Sequence, residues 1–170
     1  MMKLLRDKRI LYLLGICLVM LIAMCIVLSV TGKPDEIPFT PPPFDSAAQN
    51  GTPTVPDGLG YNEVYKEGMA YRASVCGEIR IDEQGKAKVY LTNPESNTLW
   101  IKLRILDEAG KTLGETGLIK PGQYLKEITF QTLPNSGDKI VLKLMSYQPE
   151  TYYSGGSVSL TTVAKMEGVS

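Results

Sequence analysis

Twenty-one residues from Ile10 to Val30, ILYLLGICLVMLIAMCIVLSV, carry no charge, no proline and one glycine. At about 1.5 Å per residue, an apolar helix of roughly twenty residues crosses a ~30 Å hydrocarbon core with its backbone hydrogen bonds closed internally. The stretch therefore reads as a transmembrane helix, and the rest of the chain as what that helix anchors. A cleaved secretory signal shares the basic start and apolar run, but its apolar region is usually about 7 to 15 residues. The nearest small-x-small site, Ser29-Val30-Thr31, matches the preferred alanine pattern weakly, so a retained signal anchor is the expectation. Residues 1–9 form a basic tip with Lys3, Arg6, Lys8 and Arg9 against Asp7. Basic residues beside a span stay cytoplasmic, so the C-terminal part is expected outside the cell membrane.

The tip holds four of the eighteen basic residues and one of the eighteen acidic ones, leaving fourteen against seventeen and a net charge of −3 beyond it. Such a balance, without a basic stripe, speaks against nucleic acid as a partner. Of three cysteines, Cys17 and Cys25 lie in the span and only Cys76 lies outside it. One thiol cannot staple a domain internally, so the fold must rest on its core, as suits an exported protein of a Gram-positive bacterium. Cys76 itself reads as a buried thiol on a strand.

Residues 31–69 hold seven of the eleven prolines, among them Pro41, Pro42 and Pro43, and read as an extended, Pro-rich linker. Within it, Tyr61 to Gly68 is compatible with either a helical turn or an approach strand. From Ala70 the pattern changes to short β-branched and aromatic runs broken by turn clusters, which indicates an all-β domain over residues 70–165 with a tail at 166–170. Asp82-Glu83-Gln84-Gly85 and Asp107-Glu108-Ala109-Gly110 are hairpin turns with glycine where φ must be positive. In the run from Thr98 to Asp107, Leu99, Ile101, Leu103 and Ile105 alternate with Trp100, Lys102 and Arg104, which sets a core face against an outward face. Tyr124, Ile128 and Phe130 are expected on one face of the next long strand, and Ile140, Leu142 and Leu144 on one face of another. Seven or eight strands at this spacing suggest an immunoglobulin-like β-sandwich without the disulfide of antibody domains.

The run from Leu91 to Tyr124, with Asn93, Asn97, the hairpin at 107–117 and Lys120-Pro121-Gly122, resembles a group of uncharacterised small membrane-anchored proteins of Gram-positive bacteria. So does Ser146 to Leu160. The resemblance extends to bacterial immunoglobulin-like modules, and it implies the fold of the domain without supplying a catalytic residue.

The chain has no histidine, which removes the usual general base, the Ser-His and Cys-His nucleophile pairs and most zinc sites. No metal, cofactor or enzymatic role is expected. The acidic turns lack the five or more oxygen ligands of a calcium loop, and a carboxylate pair such as Glu115 with Glu127 has no recognisable setting. Leu133-Pro134-Asn135-Ser136-Gly137 resembles a sortase sorting signal, but a core strand follows it, so it reads as a loop.

Two surface features remain as partner-binding candidates. Trp100, with Lys102 and Arg104, places an indole beside cations. The loop from Tyr147 to Ser157 carries Tyr152 and Tyr153 next to Gly155 and Gly156. The function expected is a non-enzymatic single-pass membrane protein displaying an extracellular interaction domain, an accessory subunit of an envelope or secretion complex whose partner is another envelope protein. The alternative is a cell-wall glycan-binding module using the same aromatics.

Overall fold

The computed structural model of the chain describes residues 2–30 and 39–167, which divide into two units between Thr40 and Pro41. In the first, helix α1 runs Met2–Val30. Its stretch Lys8–Ile26 has a mean hydropathy of 2.5 and buries none of that surface against the protein. A helix apolar on every side needs an apolar surrounding, so α1 has the length and composition of a membrane anchor, as a signal sequence also would.

Among its described residues the second unit carries ten strands: β1 (Gln49–Asn50), β2 (Tyr61–Val64), β3 (Ala73–Cys76), β4 (Ile79–Ile81), β5 (Lys86–Asn93), β6 (Trp100–Asp107), β7 (Thr112–Glu115), β8 (Gln123–Thr129), β9 (Lys139–Tyr147) and β10 (Ser154–Met166). Their pairing follows one path, β1-β8-β5-β4-β10-β9-β6-β7, with β2 carried on β3 and β3 joined to β5. The long strand β10 makes the path continuous. Its residues from Ser154 to Val163 run antiparallel to β9, while Ala164–Met166 lie parallel to Ile79–Ile81 of β4. The result is a mostly-β domain shaped as a curled half-barrel, and the two separate sheets of an immunoglobulin-like sandwich are not confirmed. Side-chain alternation reports which face of a strand is buried, whereas the partner at each edge depends on contacts distant in sequence.

The alternation in β6 is realised: Leu99, Ile101, Leu103 and Ile105 are all buried. They meet β9 in register, Leu103 opposite Leu144 and Ile105 opposite Leu142, and each such side chain stabilises the fold by about 1.5–3 kcal/mol on burial. In β8 Ile128 is buried, as is Phe130 just beyond its end, but Leu125 occupies the inward place expected of Tyr124. Tyr124 is only partly covered, and its hydroxyl donates to Gln49 Oε1 at 2.6 Å. The change of face coincides with a register shift between Lys88 and Leu91 of β5, where Tyr90 adopts φ 45°. Tyr90 turns to a second small cluster with Leu59 and Cys76. Cys76 is fully buried there, and desolvation pushes its thiol up to about 11.

Of the expected linker 31–69, residues 31–38 lie outside the described part. From Pro41 onward the segment belongs to the domain instead of linking to it. Residues 49–50 and 61–64 are strands, so the segment from Tyr61 begins as an approach strand and then enters a turn in which Met69 N donates to Lys66 O at 3.0 Å. Phe44 forms a parallel bridge with Leu118. That bridge uses the Pro43 carbonyl, accepting from Leu118 N at 2.9 Å, and the Asp45 N–H, donating to Leu118 O at 2.9 Å. Three consecutive prolines are compatible with it because their missing N–H groups are not called upon. At the other end, β10 extends the expected strand to Met166, and residues 168–170 of the expected tail lie outside the described part.

The two acidic turns are hairpin staples. Asp82 Oδ1 accepts from Gln84 N and Lys86 N, and Asp107 Oδ1 from Lys111 N. Gly85 and Gly110 supply the positive φ, 73° and 83°, that such turns require.

Candidate functional site

Trp100 opens β6 on the outward face, opposite Tyr147 of β9. Two rings pack edge-on against it: Phe44 at 4.7 Å between centroids and 76°, and Tyr152 at 5.3 Å and 62°. Lys120 Nζ lies 4.7 Å from the Phe44 ring centroid, a cation–π arrangement. These four residues come from the Pro-rich segment, β6, the turn before β8 and the β9–β10 loop, so the surface exists only in the folded domain.

Each is held by a local device. The Asn93 side chain is fully buried and donates to Leu99 O at 2.9 Å and Ile119 O at 3.0 Å. Those carbonyls immediately precede Trp100 and Lys120, so one amide fixes both. Asn97 Nδ2 in turn donates to Asn93 Oδ1 at 2.6 Å. Phe44 is positioned by the bridge to Leu118 and by Asp45, whose Oδ2 accepts from Gly117 N at 2.9 Å. Gly117 is required at that crossing, since a Cβ there would stand 2.5 Å from Asp45 N. Tyr152 closes a tight loop in which its N–H donates to Gln148 O at 3.0 Å and Gln148 N donates to Tyr153 O at 2.8 Å. Tyr152 and Glu150 take φ of 57° and 64°, left-handed conformations that cost roughly 1–2 kcal/mol for a residue with a Cβ. The turn they produce brings the Tyr152 ring back over Trp100.

The structure thus brings Trp100 and Tyr152 together. Tyr153, adjacent in the loop, is 71% exposed. Lys102 and Arg104 do different work. Lys102 is buried at 5% exposure, its Nζ 2.9 Å from Glu115 Oε1, and Arg104 Nε donates to Glu115 Oε2 at 2.8 Å. Partial burial raises the Glu115 carboxyl, but hydrogen bonds and charge from Lys102 and Arg104 outweigh it and hold the group below its ordinary value. The cations expected beside the indole are therefore engaged with a carboxylate on β7. Glu127, the other half of the conceivable carboxylate pair, is exposed on β8. Among the described residues, no group of three or more histidine, cysteine, aspartate or glutamate side chains is placed to hold a metal ion.

Sequence reasoning missed Phe44 and Lys120. Phe44 stood in a segment taken for linker, although a large aromatic directly after three prolines is out of place in a solvated tether. Lys120 carried no signal apart from its turn.

No protein-family model matches the chain, and no curated protein matches it in sequence. Among solved structures, the crystal structure of CopC from Methylosinus trichosporium OB3b is similar over 55% of this chain and 89% of that one, at 12% identity and a TM-score of 0.34. A likeness that remote carries no functional argument.

Proposed function

We propose that this is a non-enzymatic single-pass membrane protein that holds its β domain outside the cell and binds another envelope protein through the surface formed by Phe44, Trp100, Tyr152 and Tyr153. The observation that carries the reading is the meeting of Trp100 with Phe44 and Tyr152. Three aromatic rings from distant segments are clustered on the outward face of β6 and not in the core, with an exposed tyrosine and a lysine beside them. Aromatic residues fixed in this way are the usual anchors of protein interfaces, because they bring large contact area at small entropic cost. The left-handed backbone at Tyr152 supports the same reading, since strained conformations persist where function uses them. The basic residues before α1 favour the outward placement of the domain, and an accessory role in a larger envelope or secretion complex is in keeping with a chain that contains no histidine.

The test measures two quantities on Trp100→Ala and on the double variant Tyr152→Ala, Tyr153→Ala: the melting temperature of the full-length protein in detergent, and recovery of its partners from membranes. Truncating an interface anchor typically loses about 2 kcal/mol or more, about thirtyfold in affinity. Retained folding with lost partners is the expected result. A large drop in melting temperature would place these rings among the stabilising contacts and remove the site. Retention of the wild-type protein on purified peptidoglycan, lost in both variants, would select the glycan-binding alternative.

A further inference from the structure

The Pro-rich segment that brings Phe44 to Trp100 is attached differently from the strands around it. From Pro41 to Gly58 no residue is buried, and Leu59 is the first that is. Its backbone is held by the bridge of Pro43 and Asp45 to Leu118, by Gly51 N donating to Gly122 O at 2.8 Å, and by the pairing of β1 with β8. Its side chains add the Asp45 carboxylate, which accepts from Gly117 N at 2.9 Å, and two exposed pairs, Gln49 with Tyr124 and Asn50 with Gln123. The partners in all of these bonds fall between Gly117 and Tyr124. Apolar burial contributes little, since Phe44 is 40% exposed and Ala48 packs on the core only half-buried.

The receiving stretch is held independently of this segment. Ile119 N donates to Ile101 O and Gly122 N to Asn93 O, both at 2.9 Å, while Gln123 and Tyr124 pair with Asn93 and Thr92 of β5. Beyond Gly51 the chain is fixed again, by Val55 packing on the small cluster of Leu59, Cys76 and Tyr90. Leu59 O and Gly60 O then accept from Glu78 N and Gly77 N at 3.1 and 3.0 Å. Few buried apolar contacts and exposed backbone hydrogen bonds give a segment an opening free energy far below the global one. Three consecutive prolines also fix φ in the released chain, so docking it again costs less entropy than for an unconstrained sequence.

We infer that residues 41–51 form a strap that releases and redocks as one unit while the rest of the domain stays folded, and that its docking gates the aromatic surface by setting Phe44 on Trp100. The gating half rests on the function proposed above. Release withdraws Phe44 and with it the ring beneath Lys120, leaving Trp100 with Tyr152 alone of its two ring partners. A partner that uses all three rings binds the docked form, and by linkage it holds the strap down. Asp45 is the latch: one carboxylate oxygen crosses to Gly117, and the other accepts from Ala47 N at 3.0 Å within the strap.

The test follows amide hydrogen exchange, resolved to single residues by NMR, in the full-length protein in detergent micelles. Leu118 and Ile119 are neighbours, but Leu118 N–H is bonded to the strap and Ile119 N–H to β6. Asp45, Gly51 and Leu118 are expected to exchange about tenfold or more faster than Ile119 and Gly122. Asp45→Ala is expected to speed Gly51 and Leu118 together by about tenfold, although their own acceptors are untouched, and to leave Ile119 and Gly122 unchanged. Acceleration of Gly117 alone would overturn the strap, as would Leu118 and Ile119 exchanging alike in the unaltered protein. Should Asp45→Ala not fold, that comparison of neighbours decides by itself. The gate is read from Gly117→Ala, which excludes the docked strap: recovery of partners from membranes is expected to be lost with Ile119 still protected. Undiminished recovery would overturn the gate, and loss of Ile119 protection would overturn independent release. If the unaltered protein recovers no partner, the proposed function fails and the gate with it, whereas the exchange pattern still decides the strap.

Discussion

Glu115 holds two cations that the outward face of β6 would otherwise leave unmatched. Lys102 is the more demanding of the two, because a buried ammonium without a counter-charge is costly. Replacing the carboxylate by Glu115→Gln is expected to destabilise the domain by about 2 kcal/mol, read from a denaturant titration. The pH dependence follows from the direction of the shift. The folded carboxyl lies below its ordinary value, so the unfolded chain takes up this proton first as pH falls. The stabilisation is fully present above the ordinary carboxylate range, about 4.3, and is lost as pH drops through the lower folded value. Glu115→Gln should flatten that acid limb relative to the wild type. An unchanged slope would mean that the ion pairs with Lys102 and Arg104 contribute nothing in solution.

At the scale of elements, the Pro-rich segment is the part whose role changed most between sequence and structure. Composition alone makes residues 31–69 a tether. From Pro41 onward, however, carbonyls and the few remaining N–H groups are used where a proline costs nothing, as at Pro43 and Asp45. Gly117 is the hinge of this docking. In Gly117→Ala the new methyl would meet the backbone of Asp45 and Phe44, so the segment must move and Phe44 should leave Trp100. The expected cost is about 1–3 kcal/mol, as for other overpacked contacts. Trp100 is the sole tryptophan, so its emission should shift to the red. Unchanged emission would show that Phe44 does not cover the indole. By contrast, the bounds of β5 and β9 were legible, Lys86–Asn93 and Lys139–Tyr147, because β-branched and apolar runs between turn residues are a local signal, in β9 with a period of two as well. The switch of β10 from β9 to parallel pairing with β4 has no local signature, and that switch decides between separate sheets and a half-barrel.

For the whole molecule, the sequence named Trp100 and Tyr152 separately, from an outward alternation and a loop, but could not establish that they meet. Their contact depends on left-handed turns at Glu150 and Tyr152, residues that composition does not single out for such a backbone. Arg104 was legible as outward-facing, whereas Lys102, expected beside it, is buried; neither was legible as a partner of Glu115, whose place on β7 depends on the β6–β7 register. At this scale the proposed function requires that the aromatic surface face outward from the cell and touch another protein. It is tested most directly by photo-crosslinking in intact producing cells. A benzophenone amino acid replaces Tyr153, beside the clustered rings, or Lys126, exposed on β8, in the full-length chain. The account predicts a discrete protein adduct from position 153 and none from position 126, removed by protease added outside the cells and abolished by Trp100→Ala. No adduct, the same adducts from both positions, or an adduct that external protease reaches only after the membrane is opened would contradict it.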